Sequence, residues 1–232
     1  MVKEFLPCCL KFTTIGNKQN VLFSKGVFCF VIGDKLFIAF FILRINMKEL
    51  EERIKKDGIV LPGDILKVGS FLNHNIDIKL LESMGRVVAE HFPTATKVLT
   101  IEASGIAFAT IVAHYLGCDL VFAKKSKTSN LSGDIVTSRV SSYTHNTSYD
   151  IYINKGYIKD TDNVLIVDDF LALGNALHGL IDLCNQLGAK VVGCSVQIEK
   201  EYQGGGNMIR KMGYEVLSLA KIKEIKGDEV IF

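Results

Sequence analysis

The chain is poor in the features that would take it out of the ordinary globular class. It has three prolines in 232 residues, no internal repeat and no low-complexity linker, which speaks against a solenoid or a string of tethered modules. None of its six cysteines forms a C-x-x-C pair, and no histidine stands at ligand spacing from them, so a zinc site is not expected. Cys118, Cys184 and Cys194 lie in apolar stretches and read as reduced core residues of a cytoplasmic protein. A long uninterrupted apolar run is also missing. The best candidate, residues 26–43, is broken by Asp34 and Lys35 into parts too short to span a bilayer. No small-residue cleavage site follows Leu43, so a signal peptide is not indicated.

What is present fits one α/β domain with a sizeable core: 48% of residues are hydrophobic and 22% charged. The net charge of +2 is unevenly spread. Residues 1–46 hold six Lys/Arg against two acids, a net of +4, which leaves −2 for the 186 residues after them. The body therefore carries no bias towards nucleic acid. Eight of the fourteen phenylalanines also fall before residue 47. Met47-Lys48-Glu49-Leu50 opens an amphipathic helix. We read residues 1–46 as a leader outside the native product, with a membrane anchor as the alternative. Such a leader would add a strand hairpin or disorder rather than chemistry.

Along the body the periodicity predicts helices over 48–56, 77–92, 105–115, 174–187 and 207–212. Strands are expected at 98–101, 120–123, 164–167, 191–198 and 214–219. Residues 59–72 read as an extended segment, 124–133 as a polar loop, and 135–143 with 149–154 as an antiparallel hairpin. Strands alternating with helices argue for a doubly wound, mostly parallel sheet, with the N-terminal segment and the hairpin as attachments.

The most informative stretch is VLIVDDFLALGNAL, from Val164 to Leu177. An aliphatic run suited to burial on both sheet faces leads to Asp168 and Asp169, expected at the strand's end. A short loop with Gly174 follows and opens a helix, whose unpaired N–H groups can hold a phosphate. Ligands of open α/β sheets gather at the carboxyl ends of strands. Carboxylates beside such a cradle suit a phosphorylated sugar with Mg²⁺. A solvated strand end and an ordinary helix start are the plainer alternatives.

At these residues the chain resembles the type I phosphoribosyltransferases. Six ordered blocks narrow the resemblance to the bacterial xanthine-using branch: Gly58-Ile59-Val60-Leu61-Pro62, Leu66-Lys67-Val68, Ser70-Phe71-Leu72-Asn73-His74, Glu102-Ala103-Ser104-Gly105-Ile106-Ala107, Asp168-Asp169-Phe170-Leu171-Ala172 and Ile198-Glu199-Lys200. The resemblance implies a type I phosphoribosyltransferase domain over 47–232, with an N-terminal hood and a flexible hairpin. It implies transfer of 5-phosphoribosyl from phosphoribosyl pyrophosphate to N9 of xanthine. The enzyme rival is a guanine or hypoxanthine phosphoribosyltransferase. The rival of another class is a non-catalytic regulator that binds phosphoribosyl pyrophosphate, but no helix-turn-helix pattern supports it.

By the same resemblance, Asp168 and Asp169 face the ribose hydroxyls directly or through Mg²⁺, which they would hold themselves or by way of water. Mg²⁺ favours one or two carboxylates plus substrate oxygens. Ala172, Leu173, Gly174, Asn175 and Ala176 form the phosphate loop. Only Asn175 offers a polar side chain there, so binding rests mainly on backbone N–H groups, and Leu173 stands where a polar residue is expected. Glu102, Ala103, Ser104 and Gly105 form the pyrophosphate loop. Lys124 and Lys125, with Lys127, supply cations, and the loop 126–133 closes over the site to exclude water. Lys124 stands where relatives often carry Arg, which forgoes bidentate binding. Leu66, Asn73 and Lys200 read the base, Lys200 just past its strand as a donor to a carbonyl oxygen. Core packing for Leu66, a turn cap for Asn73 and a surface Lys beside Glu199 are the plain alternatives. His74 and His178 read as structural. The resemblance further implies a cytoplasmic homodimer with no nucleic-acid or membrane partner.

Overall fold

The computed structural model describes residues 48–125, 134–142 and 147–232, together with four strands before residue 40. The expected closing loop at 126–133, including Lys127, lies outside the described residues. The chain divides into Met1–Ile45 and Asn46–Phe232. In the first unit β1 (Lys11–Thr14), β2 (Asn20–Ser24), β3 (Val27–Ile32) and β4 (Lys35–Ala39) form an antiparallel meander.

The second unit opens with α1 (Lys48–Asp57), which buries Leu50 and Ile54 and exposes its charged face. A hairpin of β5 (Ile59–Leu61) and β6 (Ile65–Lys67) follows within the segment expected to be simply extended. Next come α2 (Ile78–His91), β7 (Lys97–Ile101), α3 (Gly105–Leu116) and β8 (Asp119–Ala123). Asp77 caps α2 by accepting from the Leu80 N–H at 3.3 Å. Gly85 of α2 lets α3 approach closely, because a Cβ there would collide with Ile111.

The expected hairpin forms from β9 (Ile135–Ser142) and β10 (Thr147–Asn154), paired in register from Asn154 with Ile135 to Thr147 with Ser142. Then come β11 (Asn163–Leu171), α4 (Asn175–Gln186), β12 (Lys190–Lys200), α5 (Gly205–Lys211) and β13 (Val216–Ile222). The chain ends in a hairpin of β14 (Glu224–Lys226) and β15 (Glu229–Ile231). Nothing in the sequence announced it, since three-residue strands are too short to display a period.

The central sheet has the order β13-β12-β11-β7-β8 and is parallel throughout. Val164, Leu165, Ile166 and Val167 have no exposed surface, as expected of a strand covered on both faces. Truncating Ile166 to Ala would cost about 2 to 5 kcal/mol. Cys184 and Cys194 are buried, and burial pushes both thiols up to about 12. Cys118, read as core, is only partly buried at the start of β8, beside Lys97 and Asp119.

Candidate active site

Two pairing patterns open the cleft. On one side, β12 accompanies β11 as far as Leu171 opposite Glu199. On the other, β7 pairs with β11 only from Val164 to Ile166. The strand order also reverses between β7 and β11, the position where open α/β sheets bind ligands. Asp168 and Asp169 come just past that point, after Val167. They do not end the strand, as the apolar run suggested: β12 keeps β11 extended for two further residues.

Both carboxylates are nevertheless buried, at 5% and 9% exposure. Asp168 accepts from the Asp169 N–H at 2.9 Å, and Asp169 accepts from the Phe170 N–H at 2.9 Å. Burial pushes the Asp168 carboxyl well above the ordinary carboxylate range. The neighbouring Asp169 charge adds to that push, and Lys125 offsets only part of it. The pair is thus short of positive charge. Among the described residues no group of three or more His, Cys, Asp or Glu could hold a metal ion. A divalent cation here would take its remaining ligands from substrate and water, as Mg²⁺ commonly does.

The loop after β7 faces the carboxylates. Glu102 to Ser104 form a turn with a cis Glu102–Ala103 peptide bond, and α3 begins at Gly105. A Cβ on Gly105 would strike the Thr100 hydroxyl and lie 2.8 Å from Asp168 Oδ1, so only glycine fits between them. Thr100 is fully buried and its hydroxyl has no hydrogen-bond partner. Sequence reasoning missed it, because a threonine in a strand carries no signal of its own.

The loop after β11 is built as the N-terminus of α4. Gly174 caps that helix at φ 84°, a left-handed conformation suited to glycine, and no side chain caps the first turn. Leu173, Gly174, Asn175 and Ala176 line a cavity of about 190 Å³ with Tyr149 and Ser141 of the hairpin. Asn175, expected as the loop's one polar side chain, donates its amide to the Ser141 carbonyl at 2.9 Å. Tyr149 was not foreseen either. Burial raises its hydroxyl, with the Asp168 charge contributing.

The two lysines part company. The Lys125 N–H donates to Glu102 Oε1 at 2.6 Å, and its ammonium sits 5.4 Å from the Tyr149 ring centre. Lys124 pairs its backbone with Tyr152 and lines a separate groove of about 770 Å³ with Lys97, Phe122 and Tyr157. The structure therefore joins Lys125, and not Lys124, to the carboxylates.

Of the residues expected to read the base, Asn73 donates to Asp169 Oδ2 at 3.2 Å, which ties the hood directly to the aspartate pair. Leu66 is 7% exposed and packs near Gly58. Lys200 is the last residue of β12 rather than beyond it, and its ammonium donates to the Asp64 carbonyl at 2.7 Å. Burial lowers its pKa, opposed by the Asp64 charge. Glu199 is not a surface companion of Lys200. It is fully buried against Arg210.

The chain matches the phosphoribosyl transferase domain family over residues 75–225. It is 49% identical to a xanthine phosphoribosyltransferase of Bifidobacterium adolescentis, over 77% of this chain and 94% of that protein. A xanthine phosphoribosyltransferase of Finegoldia magna is 47% identical, over 80% of this chain and 99% of the relative. Among solved structures, APRTase from Giardia lamblia complexed with 9-deazaadenine superposes with a TM-score of 0.65 at 23% identity, covering 75% of this chain and 98% of that one. The parallel sheet, the paired carboxylates at its switch point and these matches agree: the chain belongs to the phosphoribosyl transferase domain family.

Proposed function

We propose that this protein transfers the 5-phosphoribosyl group of phosphoribosyl pyrophosphate to N9 of xanthine, releasing pyrophosphate and forming xanthosine 5'-monophosphate in purine salvage. The bond from the ribose C1 to pyrophosphate oxygen breaks, the bond from C1 to N9 forms, and the base loses the N9 proton. The observation that carries this reading is the buried, charge-poor pair Asp168 and Asp169, set between two loops at the sheet's switch point.

A ribosyl centre becomes cationic as pyrophosphate departs, and the two carboxylates supply the missing counter-charge. Asp168 and Asp169 would hold Mg²⁺ arriving with phosphoribosyl pyrophosphate, directly or through water, and the ion would supply charge neutralisation of the diphosphate. The 172–176 loop holds the 5-phosphate by backbone N–H groups, since the Asn175 amide is engaged with Ser141. The 102–105 loop and Lys125 meet the pyrophosphate. Lys200 keeps donors beyond the one given to Asp64, which suits a carbonyl oxygen of xanthine and not the amino group of adenine. Asn73 orients Asp169 at the edge of the base site.

The family's habits extend the reading to a cytoplasmic homodimer acting on small molecules, with no nucleic-acid or membrane partner. No described helix is long and apolar enough to cross a membrane. Light scattering on the purified chain checks the dimer. The decisive assay supplies labelled phosphoribosyl pyrophosphate with xanthine, guanine, hypoxanthine or adenine. Xanthine should be used best and adenine least. Preference for guanine or hypoxanthine would reassign the base, and binding without transfer to any base would make the protein a sensor.

A further inference from the structure

Glu199 on β12 has no exposed surface, yet it is fully served by its own chain. Both terminal nitrogens of Arg210 donate to it at 2.8 Å, the Ser218 hydroxyl donates to Oε2, and the Lys221 ammonium lies 3.9 Å away. Burial alone would raise this carboxyl, but the Arg210 and Ser218 hydrogen bonds and the Arg210 and Lys221 charges outweigh it and hold it below the ordinary range. Arg210 belongs to the last turn of the short helix α5.

The first turn of that helix touches the site. The Gly205 N–H donates to the Ala172 carbonyl at 3.1 Å. A Cβ on Gly205 would overlap the backbone of Ala172, Leu173 and Gly174, and a Cβ on Gly206 would overlap the Glu199 carboxylate. A Cβ on Gly174 would come within 3.1 Å of the Met208 methyl. The helix is thus anchored at one end by an ion pair and set without clearance against the phosphate loop at the other. Lys200, the next residue along β12, serves the opposite side, at Asp64.

We infer that Arg210, through its ion pair with Glu199, is a positioning residue for the 172–176 loop, and so for the phosphate end of phosphoribosyl pyrophosphate rather than for the base. The inference rests on the loop assignment proposed above. An ion pair that only stabilised the fold would alter melting temperature and the yield of active enzyme. A positioning pair alters affinity for one substrate. An interior as closely packed as this one passes a small displacement of α5 to the loop backbone.

The test uses the full chain with Arg210→Lys, which keeps the charge but loses the two-pronged contact, and with the double change Glu199→Gln/Arg210→Met, which leaves no unpaired buried charge. Both should raise KM and the calorimetric Kd for phosphoribosyl pyrophosphate about tenfold, with kcat and KM for xanthine held within about twofold. Parallel rises for both substrates, or a lowered melting temperature with unchanged constants, would overturn the inference. If the double variant does not fold, Arg210→Lys decides alone. Asn175→Asp, which places a negative charge in the loop, separates the two levels. If it leaves affinity for phosphoribosyl pyrophosphate unchanged, the loop assignment falls and the inference with it. If it weakens that affinity and Arg210→Lys does not, only the inference falls.

Discussion

Neighbouring strands of one sheet treat a buried acid in opposite ways. On β12, Glu199 is enclosed by Arg210, Ser218 and Lys221, and its carboxyl is held below the ordinary range in spite of burial. On β11, Asp168 has a backbone N–H from Asp169 and the partial help of Lys125, and burial drives it well above that range. Burying a charge is costly unless the surroundings supply its complement. The chain supplies that complement at Glu199 and leaves it short at Asp168, where on the proposed function a cationic ligand or transition state brings it. Groups perturbed by burial in a cleft are where chemistry is to be sought.

The contrast can be broken most sharply on the compensated side. Arg210→Ala strands a buried carboxylate and should lower stability by about 3 to 5 kcal/mol, read by denaturant titration. A cost near zero would mean that Glu199 finds other partners or water. On the uncompensated side, Asp168→Asn and Asp169→Asn should each leave a folded protein whose turnover falls on the order of a hundredfold in steady-state assays. Near-normal rates in both would erase the distinction between the two strands.

A smaller effect is expected at Lys200, which follows the compensated acid but faces the hood. Lys200→Ala should raise KM for xanthine about tenfold and leave that for phosphoribosyl pyrophosphate nearly unchanged. Equal changes for both substrates would place Lys200 outside the base site.

Proton linkage sharpens the comparison further. A carboxyl raised in the folded state binds its proton more readily folded than unfolded, so the stability it contributes is present below the ordinary carboxylate range and is lost as pH rises through the raised value. Asp168→Asn should therefore melt higher than the parent at neutral pH, with the gap closing on acidification. For Glu199, held low, the sign is reversed: its contribution is present above the ordinary range and lost as pH falls through the lowered value. Melting curves from acid to neutral pH would show a constant gap for Asp168→Asn if Asp168 were ionised throughout.

The smallest effect is expected at the start of the chain. We propose that a version beginning at Met47 keeps full activity, because every candidate site residue lies after it and the family match begins at residue 75. Loss of activity on shortening would assign residues 1–46 a part in the fold.

Sequence by itself determined the alternation of strands and helices, the buried β11, the break at Gly174 and the adjacency of Asp168 and Asp169. Each is a local signal: an aliphatic run, a helical period, a residue able to take positive φ. The six ordered blocks added the family. Tertiary structure alone decided that β7 leaves β11 after Ile166 and so opens the cleft. It alone brought Asn73 to Asp169 across 96 residues, and Lys200 to Asp64 across 136. It set Tyr149 and Thr100 beside the carboxylates and sent Lys124 to another groove. It made Glu199, to which the sequence assigned no role of its own, a buried anchor for α5. The physical reason is that a strand's period says which residues share a face, while strand register and helix crossings say which side chains meet across the chain, and no local pattern encodes those.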